Sequence, residues 1–83
     1  MNIIVYTKRG CHWCKEVVNY LDEKKVQYEN REVLSNELYY KELIEKSGQK
    51  KTPTLDIDGF ILADSDKEQV EKYLNEYGKR NNQ

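Results

Sequence analysis

The tetrapeptide Cys11-His12-Trp13-Cys14 lies where one residue periodicity gives way to another, and that junction constrains this chain more than any other feature. Before it, residues 2–6 (Asn-Ile-Ile-Val-Tyr) form a short β-branched apolar run that suits a buried strand. After the loop Thr7-Lys8-Arg9-Gly10, Val17, Val18 and Leu21 recur at helical spacing, with Lys15, Glu16, Asn19, Asp22 and Glu23 between them. This pattern predicts an amphipathic helix over 12–24. Residues 26–31 then alternate, Val26, Tyr28 and Asn30 against Gln27, Glu29 and Arg31, as a strand does. Two strands joined through a helix run parallel, with a right-handed crossover.

The rest of the chain continues in the same style. Ser35 or Asn36 caps a second helix on which Tyr40, Leu43 and Ile44 share a face, and Gly48 stands where a left-handed residue ends it. Thr54 to Ile57, Asp58-Gly59 and Phe60 to Ala63 read as a β-hairpin, because both residues of such a turn need positive φ. Ser65-Asp66-Lys67-Glu68 fits a capping box. Val70, Tyr73, Leu74 and Tyr77 then mark one face of a last helix that Gly78 ends, leaving residues 79–83 as a frayed tail. The expected fold is α/β, in the order β-α-β-α-β-β-α. It forms a single domain over residues 1–83, with a four-stranded mixed sheet packed by three helices.

Composition decides what the two cysteines are for. Leu, Ile, Val and Phe number 19 of 83, just above the level of roughly 20% below which chains stay disordered. The core is therefore small. Fourteen basic against 15 acidic residues give a net charge of -1, which argues against nucleic acid as a partner. The seven tyrosines fit packing better than base stacking, since Tyr73 and Tyr77 fall on the apolar stripe and Tyr6 and Tyr28 in strands. No apolar run approaches the ~20 residues of a membrane span or the roughly 7–15 of an export signal. A cytoplasmic location is expected, and structural disulfides are rare there. A Cys11–Cys14 bridge would in any case close too short a loop to stabilise the fold much. A structural zinc wants four ligands, and the chain offers two Cys and one His, all within residues 11–14, so no metal site is expected.

What remains is thiol chemistry. Cys11 at a helix N-terminus places its sulfur beside orphan backbone N–H groups and the positive end of the helix dipole. Lys8, Arg9 and Lys15 lie close in sequence, and residues 1–15 contain no acid. Each local influence favours the thiolate, whose pKa in such motifs ranges over about 3.5–7.5. Cys14, one turn on, can resolve a mixed disulfide formed on Cys11. His12 is either an exposed first-turn residue or a cation that supports the Cys11 thiolate.

An N-terminal strand, Lys8-x-x-Cys11-x-x-Cys14 entering a helix, Thr52-Pro53-Thr54 before an Asp-Gly hairpin, and a capped final helix together resemble the glutaredoxins, above all the small bacterial glutaredoxin-like proteins. The likeness runs from about Asn2 to Tyr77. It implies the thioredoxin fold, a cis bond before Pro53, and thiol–disulfide exchange. Its partners would be disulfide-containing proteins and glutathione, the latter as co-substrate rather than as a bound cofactor. By the same resemblance, Cys11 corresponds to the nucleophile and Cys14 to the resolving thiol. Lys8 matches the family's basic residue, and Trp13, in place of the usual tyrosine, walls the groove. Thr52 offers its backbone to the cysteinyl part of glutathione. Gln49 and Lys50 occupy the region of the glycine carboxylate, and Ser65 and Asp66 match the helix start that receives the γ-glutamyl carboxylate.

The chain departs from the family at Ala63-Asp64, where Gly-Gly is frequent, and at His12, where Pro is common. Asp64 adds a negative charge near a carboxylate-docking region. This keeps open a redoxin reduced by thioredoxin reductase instead of glutathione, of the kind that serves ribonucleotide reductase. A glutathione-dependent iron–sulfur cluster carrier is the alternative of another class, although His12-Trp13 differs from the small-residue motifs of that role. A monomer is expected.

Overall fold

The computed structural model describes the backbone of residues 1–81 and the side chains of residues 1–77. Seven elements follow in the expected order: β1 (Ile3–Thr7), α1 (His12–Glu23), β2 (Glu29–Glu32), α2 (Glu37–Ser47), β3 (Thr54–Ile57), β4 (Phe60–Leu62) and α3 (Lys67–Asn81). One mixed sheet runs β2-β1-β3-β4. β1 pairs in parallel with β2, Thr7 opposite Glu32, and antiparallel with β3, Tyr6 opposite Thr54. Among the described residues no helix is long and apolar enough to cross a membrane.

The sheet separates two apolar clusters. Alternate side chains of a strand point to opposite faces, so Ile3 and Val5 join Val17, Tyr20, Leu21, Leu55, Ile57 and Val70 under α1 and α3. Tyr6 faces the other way and packs with Val33 and Leu43 beneath α2. Its hydroxyl donates to Glu42, 2.9 Å away, so this core tyrosine is satisfied as well as buried. Asp58 (φ 51°) and Gly59 (φ 93°) both take positive φ and close the hairpin as anticipated.

Four local expectations need correction. The second strand begins at Glu29, not Val26. Lys25 turns the chain with φ 57°, and Val26 and Tyr28 pack on the core before ladder pairing starts at Glu29 opposite Ile4. On α2, Leu43 is buried but Ile44 is 41% exposed, because the helix rests on Tyr6 and Val33 through Tyr39, Tyr40 and Leu43. Ser65 does not cap α3. Asp66 Oδ1 accepts the Gln69 N–H at 2.9 Å, while the Ser65 hydroxyl donates to the Pro53 carbonyl at 3.2 Å. Finally, α3 continues past Gly78 to Asn81, so residues 79–81 are helical and not a frayed end. Asn82 and Gln83 of the expected tail lie outside the described residues. The cap of α2 is Asn36, whose side chain accepts the Leu38 N–H, and Gly48 ends that helix with φ 70°.

Candidate active site

The site sits beyond the carboxyl end of β1, where parallel strands direct their following loops. After Thr7 the chain turns through Gly10 (φ 80°), and the Cys11 N–H donates to the Lys8 carbonyl at 3.1 Å. Cys11 is the N-cap of α1, with extended backbone. Its Sγ takes the place of the usual capping oxygen and accepts the Cys14 N–H at 3.1 Å. The sulfur therefore receives a donor that the helix leaves orphaned. Cys14 lies one turn on, with a Cα–Cα distance of 5.3 Å, and the two cysteines are joined as a disulfide. They are not equivalent: Cys11 is half-buried, whereas Cys14, in the first turn of α1, is 3% exposed. A reagent from solution reaches Cys11 first.

The Thr52–Pro53 peptide is cis, as the resemblance implied. Thr52 lies against the cysteine, with its carbonyl oxygen 3.7 Å from Cys11 Sγ and its hydroxyl donating to the same sulfur at 3.5 Å. Pro53 is held from behind by Ser65, whose N–H donates to the Pro53 carbonyl at 2.8 Å. Ser65 thus fixes the proline loop instead of presenting its side chain, and Asp66 occupies the helix start.

The remaining expected residues divide. Lys8 lines a cavity of about 250 Å³ with Thr7, Cys11, Cys14, Asn30 and Glu32. Trp13 is 58% exposed beside the motif, with the His12 ring set edge-on to it at 5.5 Å. His12 is exposed and its Nε2 lies 3.7 Å from the Glu16 carboxylate, so its nearest charged partner is an acid on its own helix. Gln49 turns inward: its amide nitrogen donates to Ser47 Oγ at 2.8 Å and Thr54 Oγ1 at 3.1 Å, and its oxygen accepts the Lys51 N–H. It shapes the loop ahead of Pro53. Lys50 is exposed. Asp64 takes φ 49°, which explains why glycine suits that place, and its carboxylate lies 3.9 Å from Lys51 Nζ. The negative charge at this departure is thus partly countered by a neighbouring cation.

Glu32 was not anticipated. Its carboxylate accepts the N–H groups of Arg9 at 2.9 Å, Leu34 at 3.1 Å and Ser35 at 2.9 Å, together with the Ser35 hydroxyl. It latches the loop that carries Cys11 to the loop after β2. It also brings an acid into the cysteine cavity, so the local absence of acids in residues 1–15 does not survive folding. The signal was present in the strand register: parallel β1 and β2 end side by side, which sets Glu32 opposite Thr7. The Ser35 hydroxyl and then the backbone N–H donors hold the Glu32 carboxyl down at about 2. A lowered folded-state pKa gives stability that is present above the ordinary Glu value of ~4.3 and fades as pH falls toward the folded value. Glu32→Gln should therefore be less stable at neutral pH and lose the part of the acid destabilisation that falls between pH ~4.3 and about 2. Urea midpoints measured against pH for both proteins check this, and parallel curves would refute the latch.

A four-stranded thioredoxin-like sheet, with a Cys-x-x-Cys pair capping the helix after β1 and a cis-proline loop against it, defines a dithiol redoxin. Residues 3–62 match the Glutaredoxin family model, and the chain belongs to the glutaredoxin family. Among its relatives, N-acetyl-S-hydroxy-L-cysteine reductase of Bacillus subtilis is 39% identical over 57 residues, which are 69% of this chain and 61% of that one. Glutaredoxin 1 of Rickettsia conorii is 44% identical over 66 residues, 77% of this chain and 65% of that one. The chain thus matches less than two thirds of the length of either relative. The crystal structure of the thioredoxin-like protein BC3987 superposes with a TM-score of 0.78 at 30% identity, covering 84% of this chain and 96% of that one. A buckwheat glutaredoxin–glutathione complex shares the fold with a TM-score of 0.70 at 19% identity, covering 89% and 68%.

Proposed function

We propose that the protein is a dithiol thiol–disulfide oxidoreductase that draws its electrons from glutathione. The observation that carries the dithiol chemistry is the asymmetry of the pair: an accessible Cys11 whose sulfur is already hydrogen-bonded, backed by a buried Cys14; glutathione as the donor rests on membership of the family. Cys11 thiolate attacks one sulfur of a substrate disulfide. A Cys11–substrate disulfide forms, the substrate S–S bond breaks, and the other substrate sulfur leaves as a thiolate that takes a proton from water. Cys14 thiolate then attacks Cys11 Sγ, closing the intramolecular disulfide and releasing the second substrate thiol. Two electrons have passed to the substrate. One glutathione thiolate opens the Cys11–Cys14 bond at Cys11, and a second attacks the resulting mixed disulfide, giving glutathione disulfide and the reduced pair.

The groove for glutathione follows the family resemblance. The Thr52 backbone faces the sulfur being exchanged, Trp13 forms an apolar wall, and Lys8 and Lys50 supply cations. The N-terminus of α3 at Asp66 offers backbone N–H groups. Oxidation of NADPH in a coupled assay tests the donor. Turnover is expected with glutathione and glutathione reductase and not with thioredoxin reductase; the reverse result would replace glutathione as the donor.

A second substrate class is favoured by the Bacillus relative, whose name specifies an S-hydroxycysteine. The same pair can reduce a small sulfenic acid. Cys11 thiol and R–SOH condense to Cys11–S–S–R and water, and Cys14 then displaces R–SH. Release of N-acetylcysteine from its S-hydroxy derivative, dependent on both cysteines, is the expected outcome.

A further inference from the structure

The family assignment gives Thr52 a role through its backbone; the structure gives its side chain another. We propose that the Thr52 hydroxyl is a catalytic group that donates to Cys11 Sγ and stabilises the thiolate each time it forms, an inference that rests on Cys11 being the exchanging sulfur. In the disulfide state the hydroxyl already points at the sulfur from 3.5 Å. There it meets a neutral, weak acceptor. When the bond opens and Cys11 carries charge, the same donor faces an anion, and hydrogen bonds to ionised acceptors are roughly twice as strong as neutral ones. The interaction thus favours the reduced nucleophile over the oxidised form.

The loop that carries the hydroxyl is held from both sides. On one side, Gln49 accepts the Lys51 N–H at 2.6 Å and donates to Thr54 Oγ1 at 3.1 Å, bracketing Thr52 within its loop. On the other, Ser65 grips the Pro53 carbonyl with both its N–H and its hydroxyl. Threonine is itself stiff at χ1 because its Cβ is branched. With the Cys14 N–H at 3.1 Å, the Cys11 sulfur has two donors from different elements, one from α1 and one from the proline loop.

Other groups also bear on the Cys11 charge. Lys8, Arg9 and Lys15, with Glu32 opposing them, line the cavity on one side, and His12 and Lys15 the other. Those are charges at a solvent-open site and are screened by salt. A direct hydrogen bond is not, which separates the two contributions.

The test uses the full chain carrying Cys14→Ser, so that Cys11 titrates alone, and follows its thiolate by ultraviolet absorbance against pH. Thr52→Val keeps the shape and removes the donor. We expect the Cys11 titration to move up by about one pKa unit, roughly tenfold less thiolate at a fixed lower pH. The shift should persist in high salt, and Thr52→Ser should largely reverse it. Thr52→Ala, expected to shift the same way, serves if the valine chain folds poorly.

Exchange kinetics with a small disulfide give a second readout. Well below the pKa the valine variant should be about three- to fourfold slower, because tenfold less thiolate is partly offset by its higher basicity. Well above it, the more basic sulfur should be about threefold faster, given a Brønsted slope of roughly 0.4–0.5. Such crossing pH profiles do not follow from misplacement of the loop. Superimposable titrations for Thr and Val would overturn the proposal, as would a serine variant that behaves like valine. Absence of turnover by the unaltered pair would instead count against the proposed function, with the titration still deciding the hydrogen bond.

Discussion

Cys11→Ser should reduce exchange with every substrate to the uncatalysed background, whereas Cys14→Ser should remove only part of it. The reason is the division of labour seen at the start of α1. A serine at the N-cap keeps the capping hydrogen bond to the residue 14 N–H, and so preserves the helix. It has no thiolate to offer, and the thiolate is the nucleophile. With Cys14 replaced, Cys11 still attacks a glutathione mixed disulfide, and a second glutathione can complete the cycle. Reduction of a protein disulfide loses its internal resolving step and should fall close to background. Assaying both variants with a glutathione mixed disulfide and with a protein disulfide gives a two-by-two result. Turnover by Cys11→Ser in either column would end the proposed mechanism.

The second large effect is on stability. Leu21 has no exposed surface and lies where α1, α3 and the sheet meet, among Val5, Val17, Leu55 and Val70. Truncating a fully buried leucine to alanine removes transfer free energy and leaves a cavity, at a cost of about 2–5 kcal/mol. Domains have about 5–15 kcal/mol in total, and a chain this short buries a smaller share of its surface than most. Leu21→Ala should therefore lower the urea midpoint sharply with little change in slope. Ile44→Ala on the open face of α2 should stay within about 0.5 kcal/mol of the parent. Equal shifts for the two would show that the core has been placed wrongly.

Much of the fold could be read from local patterns because the patterns are local in origin. Asp58-Gly59 turns since both residues tolerate positive φ, and Asn36 caps α2 with its own side chain. Two of the errors, at Ser65 and at Ile44, fall where two local solutions compete. Ser65 and Asp66 can each cap α3. The choice went to Asp66 because the Ser65 hydroxyl is engaged by the Pro53 carbonyl, a residue 12 positions away. The face of α2 was misjudged at Ile44 for a similar reason. Periodicity defines an apolar stripe, but contact with Tyr6 and Val33 selects which part of it is covered.

The same boundary runs through the site. The sequence by itself determined the reactive pair, the order of the elements that carry it and the helix start on which it sits. These depend on residues within a few positions of one another. Only the tertiary structure decided what surrounds the sulfur. Thr52 reaches Cys11 across 41 positions, and Glu32 reaches Arg9 across 23. Gln49 bonds within its own loop, and Asp64 lies beside Lys51. The physical reason is that charge and hydrogen bonding act over a few ångströms of space. Strand pairing brings the ends of β1, β2 and the loop before β3 together, and chain position carries no record of that distance. The stretch around Cys11 holds no acid in sequence, yet once folded it has a carboxylate on one side and a hydroxyl donor on the other.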